Sequence, residues 1–213
     1  MDREYIKKVV RNILIKKQIE DSGIYYVPVA ISNRHVHLSR EDLEKLFGQG
    51  YELTRERDIT QPGQFACRER VSLSGPKGRI DNVRVLGPTR KETQVEISMT
   101  DSYTLGVKPV LRMSGDIEAT PGIKIIGPKG EIDIPKGLIV SARHLHLSDD
   151  EAELYGLESG DVVMIRKDGP RSIVLGNVVV RTGKGHSLEA HIDTDEGNAA
   201  GIVNGEMLIM EKY

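Results

Sequence analysis

Ser32-Asn33-Arg34-His35-Val36-His37-Leu38-Ser39 recurs, little changed, as Ser141-Ala142-Arg143-His144-Leu145-His146-Leu147-Ser148. Four of the six histidines fall in these two copies, each time as a His-x-His pair. Side chains two apart on an extended strand leave the same face, so each pair can present two imidazoles to one cation. A single His-x-His is commonly two polar residues on a solvated strand face. Its duplication in matched context, Arg before and Leu-Ser after, favours metal.

The residues downstream of each pair repeat as well. Ser39 has Asp42 three residues on, and Ser148 has Glu151, ahead of Leu43-Glu44-Lys45-Leu46 and Ala152-Glu153-Leu154. These are capping-box starts of short helices, so each His pair is expected at a strand end that feeds a helix, where sites commonly sit. Gly75-Pro76-Lys77-Gly78 and Gly127-Pro128-Lys129-Gly130 are identical turn tetrads between β-type runs, and Asp168-Gly169-Pro170 marks a third turn. With aromatic residues at 4%, no Trp, 22 Gly and frequent Val and Ile in 213 residues, the chain reads as mainly β. That length buries a sizeable core as one large domain or two small ones.

Following the repeat outward locates further ligand candidates. Gly75-Pro76 is set against Gly169-Pro170 and Asn82-Val83-Arg84-Val85 against Asn177-Val178-Val179-Val180, continuing without a gap from the asparagines. Glu96, in Gln94-Val95-Glu96-Ile97, then falls opposite His191, in Glu189-Ala190-His191-Ile192. Each half offers three donors: His35, His37 and Glu96 in one, His144, His146 and His191 in the other. Two His plus Glu, or three His, with an open position are ligand sets of catalytic zinc, whereas structural zinc is usually closed by four protein ligands. His186 aligns with Lys91, outside both sets, and reads as a surface residue.

The formal net charge of -2 comes from nearly balanced acids and bases, so no basic field is present to hold nucleic acid or an anionic membrane. The expected ligand is small. Cys67 is the one cysteine and neither a secretory signal nor a spanning run is seen, which reads as cytoplasmic. Cys67 itself reads as structural rather than nucleophilic. At the N-terminus Ile6, Val9, Val10, Ile13 and Leu14 recur at helical spacing among Lys7, Lys8, Arg11, Lys16 and Lys17, with Asp21-Ser22-Gly23 as the stop. Such a helix either packs on its own domain or serves as a detachable interaction helix. Membrane contact is the weakest reading, because no Trp or Phe lies on the apolar face.

These residues resemble the PduL-type phosphate propanoyltransferases, the phosphotransacylases of bacterial microcompartments, from about Val27 to near Ile202. Besides the paired motifs, the likeness includes Gln61-Pro62-Gly63-Gln64, Leu86-Gly87-Pro88-Thr89-Arg90, Gln94-Val95-Glu96-Ile97-Ser98, Leu111-Arg112-Met113-Ser114-Gly115, Thr120-Pro121-Gly122 and His191-Ile192-Asp193-Thr194-Asp195-Glu196. The resemblance implies two β-barrels flanked by short helices, an internal pseudo-duplication, with two zinc ions near their junction. One barrel would comprise residues 24–33 and 142–213, the other residues 34–141, after an N-terminal amphipathic helix over residues 1–23. It implies zinc on His35, His37 and Glu96 and on His144, His146 and His191, the sets that the repeat picks out independently.

The implied reaction is reversible acyl transfer, propanoyl by preference, between coenzyme A and inorganic phosphate, in propanediol degradation. Arg90 matches the family arginine that contacts phosphate, and a guanidinium fork holds two phosphate oxygens at once. Ser114 and Gly115 could add backbone N–H donors to the same anion. In this family an N-terminal helix can target the enzyme into a microcompartment shell, so shell or cargo proteins, and a homo-oligomer, join acyl-CoA and phosphate as expected partners.

Two rival readings remain open. His35-x-His37 with Glu41 and Gly48 resembles part of a cupin metal motif, but Val29 stands where that motif has Gly, and the second copy shifts the acid to Glu151. The other rival is a non-enzymatic, zinc-stabilised assembly module. It would want closed four-ligand sites and no anion pocket.

Overall fold

The computed structural model describes residues 3–213; Met1 and Asp2, the start of the expected N-terminal helix, lie outside them. In chain order the elements are α1 (Arg3–Ser22), β1 (Tyr25–Ser32), β2 (His35–His37), α2 (Arg40–Phe47), β3 (Arg55–Asp58), β4 (Phe65–Ser74), β5 (Arg79–Gly87), β6 (Gln94–Glu96), α3 (Met99–Leu105) and β7 (Val110–Arg112). Then come β8 (Ile123–Ile126), β9 (Glu131–Ile134), β10 (Leu138–Ser141), β11 (His144–Leu147), α4 (Asp149–Tyr155), β12 (Val162–Lys167), β13 (Ile173–Thr182), β14 (Glu189–Asp193), α5 (Thr194–Ala200) and β15 (Met207–Lys212). The chain is mainly β, as its composition and turn spacing imply. It divides into two compact units, one of Met1–Ile31, Arg143–Ile192 and Glu196–Tyr213, the other of Ser32–Ala142 and Asp193–Asp195.

In the first unit six strands close a barrel in the order β1-β14-β11-β13-β12-β15. β11 runs parallel to β13 and antiparallel to β14, with His144 opposite His191 and His146 opposite Glu189. β1, from before the first His pair, pairs antiparallel with β15 near the C-terminus. Strand alternation decides what each β11 side chain does. Leu145 and Leu147 are fully buried in a core with Val27, Val29, Ile165, Val178 and Leu208, so His144 and His146 leave the opposite face. Burying a side chain such as Leu145 is worth about 1.5–3 kcal/mol, which holds the register that presents the imidazoles. The chain then enters α4 through Ser148, whose side chain and that of Glu151 form the expected reciprocal capping box, and leaves it through Gly156 in the left-handed region.

α1 belongs to this unit, but not through the stripe that its periodicity marks. Ile6, Val9, Val10, Ile13 and Leu14 are 40–61% exposed. The helix packs instead through Ile15 and Ile19 against the barrel core, and through Arg11 and Lys8 by polar bonds. No described helix is long and apolar enough to cross a membrane.

The second unit repeats the pairing around its own His strand. β2 runs parallel to β5 and antiparallel to β6, placing His35 opposite Glu96 and His37 opposite Gln94. Asn82 and Asn177, from which the two halves align, share a positive φ of 59° and 54°. Asn is among the residues that tolerate this conformation best. The expected second barrel is not found. Nine strands form one sheet in the order β7-β10-β6-β2-β5-β4-β8-β9, with β3 on β4, and its end strands do not pair. At one of those ends α2 packs against β9.

Both glycine-proline tetrads are hairpin turns, joining β4 to β5 and β8 to β9, each closed by a bond from its first glycine N–H to its last glycine carbonyl. They also finish helices. The Lys77 N–H donates to the Leu105 carbonyl at the end of α3, and the Lys129 N–H to the Leu46 carbonyl in the last turn of α2, so each turn satisfies a carbonyl that a helix end leaves open. Close approach explains the glycines. A Cβ on Gly75 would lie 2.2 Å from the Leu105 carbonyl oxygen, and one on Gly127 2.5 Å from that of Leu46. Gly75→Ala should therefore destabilise the chain by about 1–3 kcal/mol as an overpacking change against backbone. Urea unfolding with an unmoved midpoint would contradict this contact.

Candidate metal centres

In the second unit β2 and β6 bring His35, His37 and Glu96 together with their ligand atoms within 4.8 Å of one another. All three are buried. Nδ1 of His35 is hydrogen-bonded to the Asn33 carbonyl at 2.8 Å, which turns Nε2 toward Glu96 Oε1, 3.5 Å away. The same Glu96 oxygen accepts from the Ser114 hydroxyl at 2.7 Å and from Gln94 Nε2 at 2.6 Å. Arg90 Nη1 reaches Ser114 Oγ at 3.3 Å, while the Arg90 backbone N–H is tied to the Leu38 carbonyl beside the His pair. Arg90 is half-buried.

The electrostatics suit a cation. Burial is the largest influence on both His35 and Glu96 and opposes charge on each, yet their mutual attraction prevails. The pKa of His35 is raised, and that of Glu96 is held well below the usual carboxylate range. Positive charge beside Glu96 is thus favoured at this position, which a divalent ion would supply. His37 is kept neutral, its pKa pushed well down by burial and then by the positive charge of His35 and Arg90.

In the first unit β11 and β14 bring His144, His146 and His191 within the same 4.8 Å. Burial, then the neighbouring imidazoles, lowers the pKa of His146 far enough to keep the ring neutral. His191 Nε2 lies 2.8 Å from the carboxylate of buried Glu189. Such an outer carboxylate orients a ligating ring and raises its basicity.

Both donor sets fit a borderline-soft cation such as zinc: mostly buried imidazoles and at most one carboxylate. Nδ1 of His146 is buried without a hydrogen-bond partner, which a native core rarely tolerates unless something further is bound nearby.

The arginine preceding each His pair has a structural task. Arg34 makes two bonds, 2.8 and 2.7 Å, to the carboxylate of Asp101, the capping residue of α3. Arg143 bonds Glu196 at 2.5 Å and the Gly176 carbonyl at 2.7 Å.

Other expectations meet a mixed outcome. Ser114 and Gly115 do lie in the Arg90 network, but the Gly115 N–H donates to Gln94 Oε1 at 2.7 Å, and Ser114 Oγ links Arg90, Gln94 and Glu96. His186 is not a surface residue. It is half-buried, with its ring stacked on that of His146 at 4.4 Å and 27°. The cupin reading fails on geometry, since Glu41 is exposed on α2 and bonds Lys45. Cys67 is fully buried, with its thiol pushed up to about 12 by burial, so it is no nucleophile. Gln94 and Glu189, each two residues before a ligand candidate on its own strand, are the buried polar neighbours that motif spacing passed over.

Fold and site together describe a mainly β protein carrying two three-donor centres, one of them bonded to an arginine suited to an anionic substrate. The phosphate propanoyltransferase family model matches residues 28–203. A phosphate propanoyltransferase of Thermotoga maritima is 53% identical over 186 residues, 87% of this chain and 89% of the relative. Others of that name are 48% identical in Rhodobacter capsulatus, over 90% of this chain and 89% of the relative, and 43% in Salmonella typhimurium, over 96% and 95%. The chain belongs to the phosphate propanoyltransferase family, and is thus an enzyme, an acyltransferase, which sets aside the assembly-module reading.

Proposed function

We propose that the chain transfers a propanoyl group reversibly between coenzyme A and inorganic phosphate, with one zinc ion held by His35, His37 and Glu96 and another by His144, His146 and His191. The observation that carries this reading is the bonding of Arg90 to Glu96 through Ser114, which joins an anion-binding side chain to a set of metal donors.

Bound zinc would supply Lewis acidity toward the thioester carbonyl or the leaving sulfur. The rest falls to the chain. Arg90 binds phosphate through its planar fork and directs one phosphate oxygen at the thioester carbon. That oxygen forms the new C–O bond, the C–S bond breaks, and its electron pair leaves with sulfur as the coenzyme A thiolate. No acyl-enzyme is needed, in keeping with an inert Cys67. Ser114 and Gln94 hold Glu96 and the head of Arg90 in place. For Gly115 to donate to phosphate, its bond to Gln94 would have to open.

The recurring arrangement of β2, β5 and β6 in β11, β13 and β14 supports a pseudo-duplication with one centre in each copy. The exposed stripe Ile6, Val9, Val10, Ile13 and Leu14 offers a surface for shell or cargo proteins of a microcompartment.

Protein purified without added metal should carry close to two zinc ions per chain by elemental analysis, matching its two donor sets. It should release thiol from propanoyl-CoA only when phosphate is present. Full activity with metal near zero would refute the zinc assignment, and thiol release indifferent to phosphate would refute the transfer. An acyl-CoA panel on the same protein tests the propanoyl preference.

A further inference from the structure

The two His strands are tied down differently. In the second unit the tie is internal: the Ser39 N–H donates to Thr93 Oγ1 at 2.9 Å, and that hydroxyl donates to Asp42 at 2.6 Å. Ser39 lies just beyond the His35–His37 strand, and Thr93 precedes Gln94, the partner of His37. The equivalent position before Glu189 in the first unit is Leu188, which has no hydroxyl. There Glu151 Oε2 accepts from both the Ser148 N–H and the Leu188 N–H, each at 2.8 Å. Glu151 is 3% exposed, and so needs a positive neighbour.

That neighbour comes from the N-terminal helix. Arg11 Nη1 lies 3.6 Å from Glu151 Oε1, donates to Ser187 Oγ at 2.7 Å, and its Nη2 donates to the Leu188 carbonyl at 2.8 Å. One guanidinium therefore grips the segment 183–188 at two points. This segment carries His186, whose ring lies on His146 and whose Nδ1 is buried without a partner. It also leads directly into β14 and His191.

We propose that Arg11 is a positioning residue for the His144–His146–His191 centre: by clasping Ser187, Leu188 and Glu151 it holds His186 against His146 and fixes the entry to β14. Docking of α1 and cation affinity at this centre are then coupled, and by linkage each strengthens the other. A partner that drew α1 away would loosen this centre and leave that of His35, His37 and Glu96 unchanged. The proposal rests on the reading of the two clusters as metal centres.

The test uses the full chain in a Glu96→Ala background, where only the centre in question remains. Zinc affinity is measured against a chromophoric chelator, Co(II) is bound to report ligand geometry, and hydrogen exchange is followed at the Leu188 amide. Arg11→Ala should weaken zinc by about 10–100-fold, the usual consequence of removing an outer support, alter the Co(II) spectrum and speed exchange at Leu188. Arg11→Lys, which keeps the charge but not the fork, should recover part of the affinity, and His186→Ala should weaken zinc at the same centre. Unchanged zinc affinity in Arg11→Ala, whatever the exchange rate, overturns the proposal. If the unaltered chain binds no zinc, the metal reading falls and takes this proposal with it; zinc that is bound but indifferent to Arg11 removes this proposal alone.

Discussion

Glu96→Ala is expected to bind one zinc ion fewer per chain than the unaltered protein and to lose roughly a thousandfold in turnover. The magnitude derives from what one metal contributes: Lewis-acid stabilisation is worth several kcal/mol, and each 1.4 kcal/mol is a factor of about ten in rate. The substitution removes the one carboxylate of the His35–His37–Glu96 set and the acceptor on which Ser114 and Gln94 converge. It should spare the centre of His144, His146 and His191, whose donors are separate. Glu96→Gln distinguishes the two effects, because an amide oxygen still accepts from Ser114 but is a poor anionic ligand. Both variants should lose a zinc ion, and the glutamine should retain more of the fold's thermal stability. Metal analysis that finds two ions in Glu96→Gln would leave Glu96 as a hydrogen-bonding residue and return the ligand assignment to question.

How far the site is readable from sequence depends on whether a feature is local or set by pairing register. His35 with His37, and His144 with His146, share a strand face by covalent geometry, so their convergence needs no tertiary information. Glu96 and His191 are reachable because an ungapped repeat preserves register, and the structure sets them opposite His35 and His144. Gln94 and Glu189 carry the same signal, two residues away on the same face, but a lone amide or carboxylate in a strand has no motif to attract notice. For His186 the alignment to Lys91 misleads, because it says nothing about a segment whose position is set by Arg11, 176 residues away from Ser187.

The same distinction holds for the fold. Ser148 and Glu151 form their capping box from four consecutive residues. Ser39 keeps only its half, because the Asp42 carboxylate is taken by Thr93, which a local pattern cannot register. Closure of a barrel is less local still. β1 and β15 pair across nearly the whole chain, whereas β7 and β9 end their sheet without pairing, and nothing in their alternation distinguishes the two outcomes. The N-terminal helix shows the limit of periodicity. An apolar stripe identifies a face that wants a partner, but the barrel took the Arg11, Ile15 and Ile19 face, leaving the stripe exposed.

Arg90→Lys is expected to retain both zinc ions and the fold while losing about 1.5–3 kcal/mol in kcat/KM for phosphate, the worth of a hydrogen bond to a charged group. The backbone around Arg90 is held independently of its side chain, by the N–H bond to the Leu38 carbonyl and the bridge to Ser39, so the variant tests the guanidinium and not the loop. In the unaltered chain Ser114 Oγ accepts from Arg90 Nη1, which orients one edge of the fork toward the Glu96 network. A lysine ammonium keeps the positive charge but loses the planar pair of donors that matches two phosphate oxygens. Where the deficit falls tells what the arginine does. A loss mainly in kcat means that the second prong engages as charge develops in the transition state, and a rise mainly in KM for phosphate means that it holds the ground-state anion equally well. Steady-state kinetics over a range of phosphate concentrations make the distinction, with metal analysis of the same sample confirming that both centres remain filled. A lysine variant with both constants unchanged would make Arg90 a half-buried structural residue whose partner is Ser114, and the phosphate site would then have to be sought elsewhere in the chain.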